Sequence, residues 1–279
     1  MKWRGRQGSG NILDRRGAGR GRMVGGGIGT IVILIIVWLL GGDPSQLMDS
    51  SQGGGQTEQI TTTAEEDEMA QFVSVVLKDT ETVWSKIFEQ SGSTYRKPVL
   101  VLFRDEVQSA CGFASAASGP FYCPGDEMIY IDLSFCDQLR TRFGAAGDFA
   151  IAYVIAHEIG HHIQNLLGIL GKVENQRSGL SQTQSNQLTV RLELQADFLS
   201  GMWAHYAQEM LNTLEEGDVE EAINAAAAVG DDALQKMTTG RVVPDAFTHG
   251  TSAQRKEWFR KGWETGDFEQ GDTFTANIR

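Results

Sequence analysis

Apolar residues recur at helical spacing along most of the chain, and the exceptions are short. After an acidic turn at Glu65, Glu66, Asp67 and Glu68, residues Met69, Phe72, Val73, Val76, Leu77, Val83, Trp84, Ile87 and Phe88 repeat with a helical period. They predict a helix over 64–90. The run Pro98 to Phe103 is continuously apolar and of strand length, which predicts a buried strand. Phe121-Tyr122-Cys123 and Met128 to Asp132 flank the turn sequence Pro124-Gly125-Asp126-Glu127 and predict a hairpin. Helices are expected at 134–143, 148–168, 185–213, 218–229 and 252–265, while polar 171–184 reads as irregular. A small sheet followed by a run of helices is an α+β arrangement.

One stretch breaks the amphipathic pattern. Met23 to Leu40 carries no charge, and Ile28 to Leu40 is almost wholly apolar. As a helix it would span about 27 Å, close to the thickness of a bilayer core. A buried core helix and a cleaved signal peptide are the rivals. The flank of Lys2, Arg4, Arg6, Arg15, Arg16, Arg20 and Arg22 argues against the first. Gly-Gly-Asp-Pro after Leu40, which is no small-x-small cleavage site, argues against the second. The expectation is a single-pass transmembrane anchor at 23–40. The basic segment 1–22 would then be cytoplasmic, and everything after 41 periplasmic or extracellular. Residues 41–63, rich in Gly, Ser, Gln and Thr, read as a flexible linker, and 64–279 as the folded domain.

Charge narrows the partners. The chain has 24 basic and 36 acidic residues, a formal net charge of −12, and its first 22 residues hold a disproportionate share of the basic ones. The remainder is acidic enough to be a poor candidate for binding nucleic acid. Cys111 and Cys123 bracket a Gly/Ala/Ser-rich loop that a disulfide would close in an oxidising compartment. Cys136 falls at an apolar helix position and reads as a free buried thiol. No C-x-x-C pair is present to suggest a cysteine-based metal site.

The chemistry concentrates at Ala156-His157-Glu158-Ile159-Gly160-His161-His162. On a helix, His157 and His161 lie four apart on one face and point at a common position. Glu158, one residue along, is placed to take a proton from a water held there. This is the H-E-x-x-H pattern of zinc hydrolases. His162 lies about 100° around the helix from His161, so it reads as a supporting or packing residue. His205 reads as a surface or core histidine.

Zinc needs a third protein ligand. Gln164 and Leu167 stand where a metzincin would have glycine and histidine, which excludes that solution. Glu193 and Asp197 form an E-x-x-x-D pair on one face of the helix at 185–213. Glu193 is the expected third ligand, and Asp197 the acceptor that fixes a ligand histidine's outward N–H. Farther on, loop residue His249 and helical Arg255 suit stabilisation of a developing oxyanion. The plainer alternative makes Ser252 an N-cap, Arg255 a surface residue and His249 a loop residue.

These elements, in this order, resemble the neutral zinc metallopeptidases of the YpfJ-like family. They also resemble membrane-associated gluzincin peptidases of the Ste24/HtpX kind. The resemblance rests on Met1 to Arg6, Cys111-Gly112, Gly119 to Pro124, His157 to His162, Glu193 to Asp197, Thr248-His249-Gly250 and Arg255. It implies a gluzincin-like core holding Zn2+ through His157, His161 and Glu193, with Glu158 as base. It also implies that Gly119, Pro120, Phe121 and Tyr122 lie on an edge strand that holds a peptide or protein substrate in extended form. The expected activity is hydrolysis of a peptide bond. The rival reading, from another class, is a membrane-tethered binding or assembly module that keeps a zinc-stabilised fold without proteolysis.

Overall fold

A computed structural model describes residues 1–17, 62–115, 118–141, 144 and 147–278. Met1–Arg15 and Thr63–Arg279 form one compact unit. Its first helix, α1 (Ala64–Gln90), begins where the sequence supplies a capping box. The Thr63 side chain accepts from the Glu66 backbone, and the Glu66 carboxylate accepts from the Thr63 backbone. The acidic first turn complements the helix dipole.

A four-stranded sheet has the order β1-β2-β6-β5, built from β1 (Ile12–Asp14), β2 (Val99–Phe103), β6 (Met128–Asp132) and β5 (Phe121–Cys123). β1 and β6 both run parallel to β2, whereas β5 is antiparallel to β6. The continuous apolar run of β2 follows from burial on both faces. Leu100 and Leu102 enter the main core, while Val101 and Phe103 enter a small cluster with Val107, Cys123 and Tyr130. That second cluster involves the hairpin β3 (Glu106–Ser109) and β4 (Gly112–Ser115), which the sequence did not announce.

The helices α2 (Ser134–Thr141), α3 (Asp148–Leu166), α5 (Gln182–Leu211), α6 (Asp218–Ala228) and α8 (Ser252–Thr265) agree with expectation to within a few residues at their ends. Two short helices do not. α4 (Ile169–Arg177) occupies much of the stretch read as irregular, and α7 (Asp231–Thr239) follows α6. Each is only nine residues long and mostly polar, so periodicity alone gives no clear face. In α4 only Val173 is fully buried.

The fold class and the topology both require correction. Among the described residues no helix is long and apolar enough to cross a membrane. The predicted anchor at 23–40 lies outside the described residues, as does the predicted linker apart from Thr62 and Thr63. More directly, one crossing at 23–40 would put residues 1–15 and 63–279 on opposite sides. Instead Ile12–Asp14 pairs with Leu100–Leu102 in one sheet. The Met1 ammonium reaches Asp148 at 2.6 Å and Asp218 at 3.3 Å, and Arg6 grips the buried carboxylate of Asp79. Residues Met1–Arg15 of the basic segment belong to the folded unit, so the expected arrangement of a cytoplasmic tail and an exported domain joined by one crossing at 23–40 is overturned. The α+β core behind a transmembrane helix becomes a mixed α/β fold with a largely parallel sheet.

Helices α5 and α8 pack at very close range. A Cβ on Gly201 would stand 2.0 Å from the Phe259 carbonyl oxygen, and one on Gly262 would stand 2.0 Å from that of Phe198. Both obstacles are backbone, so no side-chain rotation relieves them. Gly262→Ala should therefore destabilise the protein by at least about 1–3 kcal/mol, the usual cost of overpacking. Denaturant unfolding that matches wild type would refute this.

Candidate functional site

Helix α3 is buried on almost every side, through Phe149, Ala150, Ala152, Tyr153, Ile155, Ala156, Ile159 and Ile163. A helix apolar all round belongs inside the protein, so its polar residues need partners. His157, Glu158 and His162 are all buried. Helix α5 crosses α3 at Gly160, where a Cβ would meet the Ala196 Cα and carbonyl oxygen at 3.0 Å. The glycine inside the motif thus lets α5 bring Glu193 and Asp197 up to the histidines.

His157 Nε2 lies 3.2 Å from Glu193 Oε2, and His161 Nε2 lies 3.5 Å from Glu193 Oε1. Donors bound to tetrahedral zinc at about 2.0–2.1 Å stand roughly 3.3–3.4 Å apart. The three side chains fit such an ion, and their donor atoms all lie within 4.8 Å of one another. The local field also favours a cation. Burial disfavours a charged His157, but Asp197 and Glu193 outweigh it and raise its pKa to about 10. Burial likewise opposes, and Glu193 overcomes it, in raising that of His161. For Glu193 burial pushes the pKa up, and the two histidines override it to hold the carboxyl well below its ordinary range.

Asp197 stands directly behind His157. Its Oδ1 accepts from His157 Nδ1 at 2.8 Å, from the Tyr153 hydroxyl, and from Arg255 Nη2 at 3.0 Å; Oδ2 accepts from Arg255 Nε at 2.8 Å. Four hydrogen bonds fill the capacity of a carboxylate. Arg255 also donates to the Tyr153 hydroxyl and to the Val229 carbonyl. It is buried, not a surface residue, and the cap of α8 is Thr251, not Ser252. Behind His161, Nδ1 lies 2.9 Å from Gln164 Oε1. Both His157 and His161 therefore present Nε2 to the common point.

His162 faces elsewhere. Its Nε2 donates to the Arg96 carbonyl at 2.6 Å, so in the neutral ring that burial favours, Nδ1 accepts from the Tyr122 hydroxyl at 3.1 Å. Tyr122 in turn accepts from Asn165 at 2.9 Å. Two residues of α3 thereby hold β5 in place. The Cys111–Cys123 disulfide, with Cα atoms 5.8 Å apart, fastens the end of β5 to the β3–β4 turn. Cys136 is free and buried, and burial raises its thiol pKa to about 12. His205 is half-buried and bonds the Trp263 carbonyl.

A cavity of about 780 Å³ joins these parts. His157, Glu158, His161, Glu193, His249 and Arg255 line it, and Gly119 to Tyr122 form part of its wall. Its remaining wall includes Phe135, Val154, Leu170, Leu192, Val229 and Leu234. His249 reaches it from a loop gathered by Asp231. One oxygen of Asp231 accepts from the backbone N–H groups of Thr248, His249 and Gly250, and the other lies 3.3 Å from His249 Nδ1. That contact raises the His249 pKa. Tyr153, Gln164 and Asp231 belong to no motif, and the fold brings them to the site. Helical spacing offered a signal for the first two, four residues before His157 and three after His161, whereas Asp231 reads only as a helix start.

Residues 1–274 match the model of a family described as "Putative neutral zinc metallopeptidase". The chain belongs to this family. It is 46% identical over 288 aligned residues, spanning all of both chains, to "Uncharacterized protein YpfJ" of Escherichia coli (strain K12). It is also 46% identical over 192 residues to "Uncharacterized protein Rv2575" of Mycobacterium tuberculosis (strain H37Rv), covering 65% of this chain and 64% of that one. No solved structure matches the chain. Membership of this zinc metallopeptidase family implies zinc, and His157, His161 and Glu193 are a donor set that could hold it.

Proposed function

We propose that the cleft hydrolyses peptide bonds in a zinc-dependent reaction, with His157, His161 and Glu193 holding the metal and Glu158 acting as general base. The observation that carries this reading is the convergence of two Nε2 atoms and one carboxylate at near-tetrahedral spacing, with Glu158 on the same cavity. When bound, zinc supplies a Lewis acid that polarises the scissile carbonyl and lowers the pKa of a water to about 7. Glu158 takes the proton of the attacking water and returns it to the leaving amine. Asp231 accepts from His249 Nδ1 and favours the imidazolium, whose Nε2–H can then donate toward the developing oxyanion. Arg255 acts at one remove, fixing Asp197 and through it the ring of His157.

β5 is the edge of the four-stranded sheet. A substrate backbone in extended form can pair along it as an added strand at Phe121 and Tyr122, while Gly119 and Pro120, expected on that strand, precede it and only line the cleft. The apolar wall from Phe135 to Leu234 suits uncharged side chains beside the scissile bond. The test is cleavage of a peptide library by the purified protein, with metal content measured alongside. A chelator should abolish cleavage and added zinc should restore it. A protein that binds stoichiometric zinc yet cleaves no peptide would instead mark a zinc-stabilised binding module.

A further inference from the structure

The two ligand histidines are held by different chemistry. His157 leans on a carboxylate whose charge is matched by Arg255, whereas His161 leans on an uncharged amide. Gln164 Oε1 can only accept, so His161 Nδ1 is the donor. The amide cannot be turned over, because Gln164 Nε2 donates to the Leu192 carbonyl at 2.7 Å and to Gln195 Oε1 at 3.1 Å. Gln195 is fixed in its turn, since its Nε2 donates to the Gly271 carbonyl at 3.1 Å. Both glutamines are buried, so water does not compete for these bonds.

The chain of amides has two consequences. Leu192 immediately precedes Glu193, so one side chain from α3 ties the ring of His161 to the α5 backbone beside the third ligand. Gly271 closes the 3-10 turn Phe268–Gly271, so the last acceptor comes from the carboxy-terminal segment. That segment is latched to the same stretch of α5, where Arg191 donates to the carbonyls of Phe274 and Ala276 and accepts at its own carbonyl from Thr273 Oγ1.

We propose that Gln164, Gln195 and the Gly271 carbonyl form an uncharged relay that positions His161 for the metal and makes the carboxy-terminal turn part of the metal site's support. The proposal rests on the zinc reading above. Its residues are positioning residues and touch no reacting atom.

Gln164→Met keeps the side-chain volume and removes the acceptor. In the full chain it should weaken zinc binding about 10–100-fold, the usual cost of losing a partner behind a ligand. Gln195→Met leaves the Leu192 anchor of Gln164 in place and should give a smaller loss in the same direction. The readouts are the zinc dissociation constant from chelator competition and the Nδ1–H resonances of the zinc-loaded protein. In both variants the His161 resonance should shift or exchange faster while that of His157 holds. If Gln164→Met does not fold, the Gln195→Met resonances decide the question. Wild-type protein that binds zinc, with both variants binding as tightly and both resonances unmoved, overturns the relay alone. Wild-type protein that binds no zinc overturns the metal-site reading and the relay with it.

Discussion

Glu158→Gln should lower kcat/KM for peptide cleavage by about 10²–10⁴-fold, the contribution of a general base, and leave zinc content at wild-type level. The substitution keeps the shape of the side chain and removes its ability to accept a proton. Glu158 lines the cleft but is not one of the three side chains whose donor atoms converge, so metal affinity should not follow the loss of rate. Glu193→Gln gives the contrasting pattern. There the carboxylate shared between His157 and His161 disappears, and binding should fall together with activity. A Glu158→Gln protein that cleaves at the wild-type rate with its zinc in place would remove Glu158 from the mechanism.

The contrast between these two glutamates reflects what a sequence can carry. His157, Glu158 and His161 were legible because a helix brings residues four apart together by local geometry alone. Glu193 and Asp197 were legible in the same way as a pair. Their meeting with the histidines depends on the close crossing at Gly160, which no pattern announces. Gln164 stood three residues beyond His161, yet its amide gains meaning only from Leu192 and Gln195 on another helix.

The amino terminus misled for a physical reason. Ile12 to Asp14 is too short for a period to be visible, and its partner strand lies almost ninety residues away. Arginine-rich sequence beside an apolar run satisfies the charge rule for a cytoplasmic flank. That rule takes no account of Arg6 bonding to Asp79 or of a strand completing a parallel sheet. Local signals placed the segment apart from the domain, and long-range pairing placed it inside.

Asp197→Ala should destabilise the metal-free protein by roughly 3–5 kcal/mol, because it leaves the buried Arg255 charge without a carboxylate, and Arg255→Ala should destabilise it by less, because Asp197 keeps His157 as a partner. The two groups share two hydrogen bonds at 2.8 and 3.0 Å, and both are fully buried. In Asp197 burial pushes the pKa up, and Arg255 and His157 outweigh it to hold the carboxyl below its ordinary range. The Asp197→Ala/Arg255→Ala double variant removes both charges at once and should lose less than the sum of the single losses, by at least about 1 kcal/mol. Denaturant unfolding of the four proteins closes this cycle. Strictly additive losses would mean that the pair does not act as a unit. Zinc titration of the same proteins separates stability from positioning. In Arg255→Ala the carboxylate still accepts from His157 Nδ1, so zinc affinity should fall less than in Asp197→Ala, where the ring loses its acceptor. Equal affinities in the two single variants would show that Arg255 positions His157 as strongly as the carboxylate it holds.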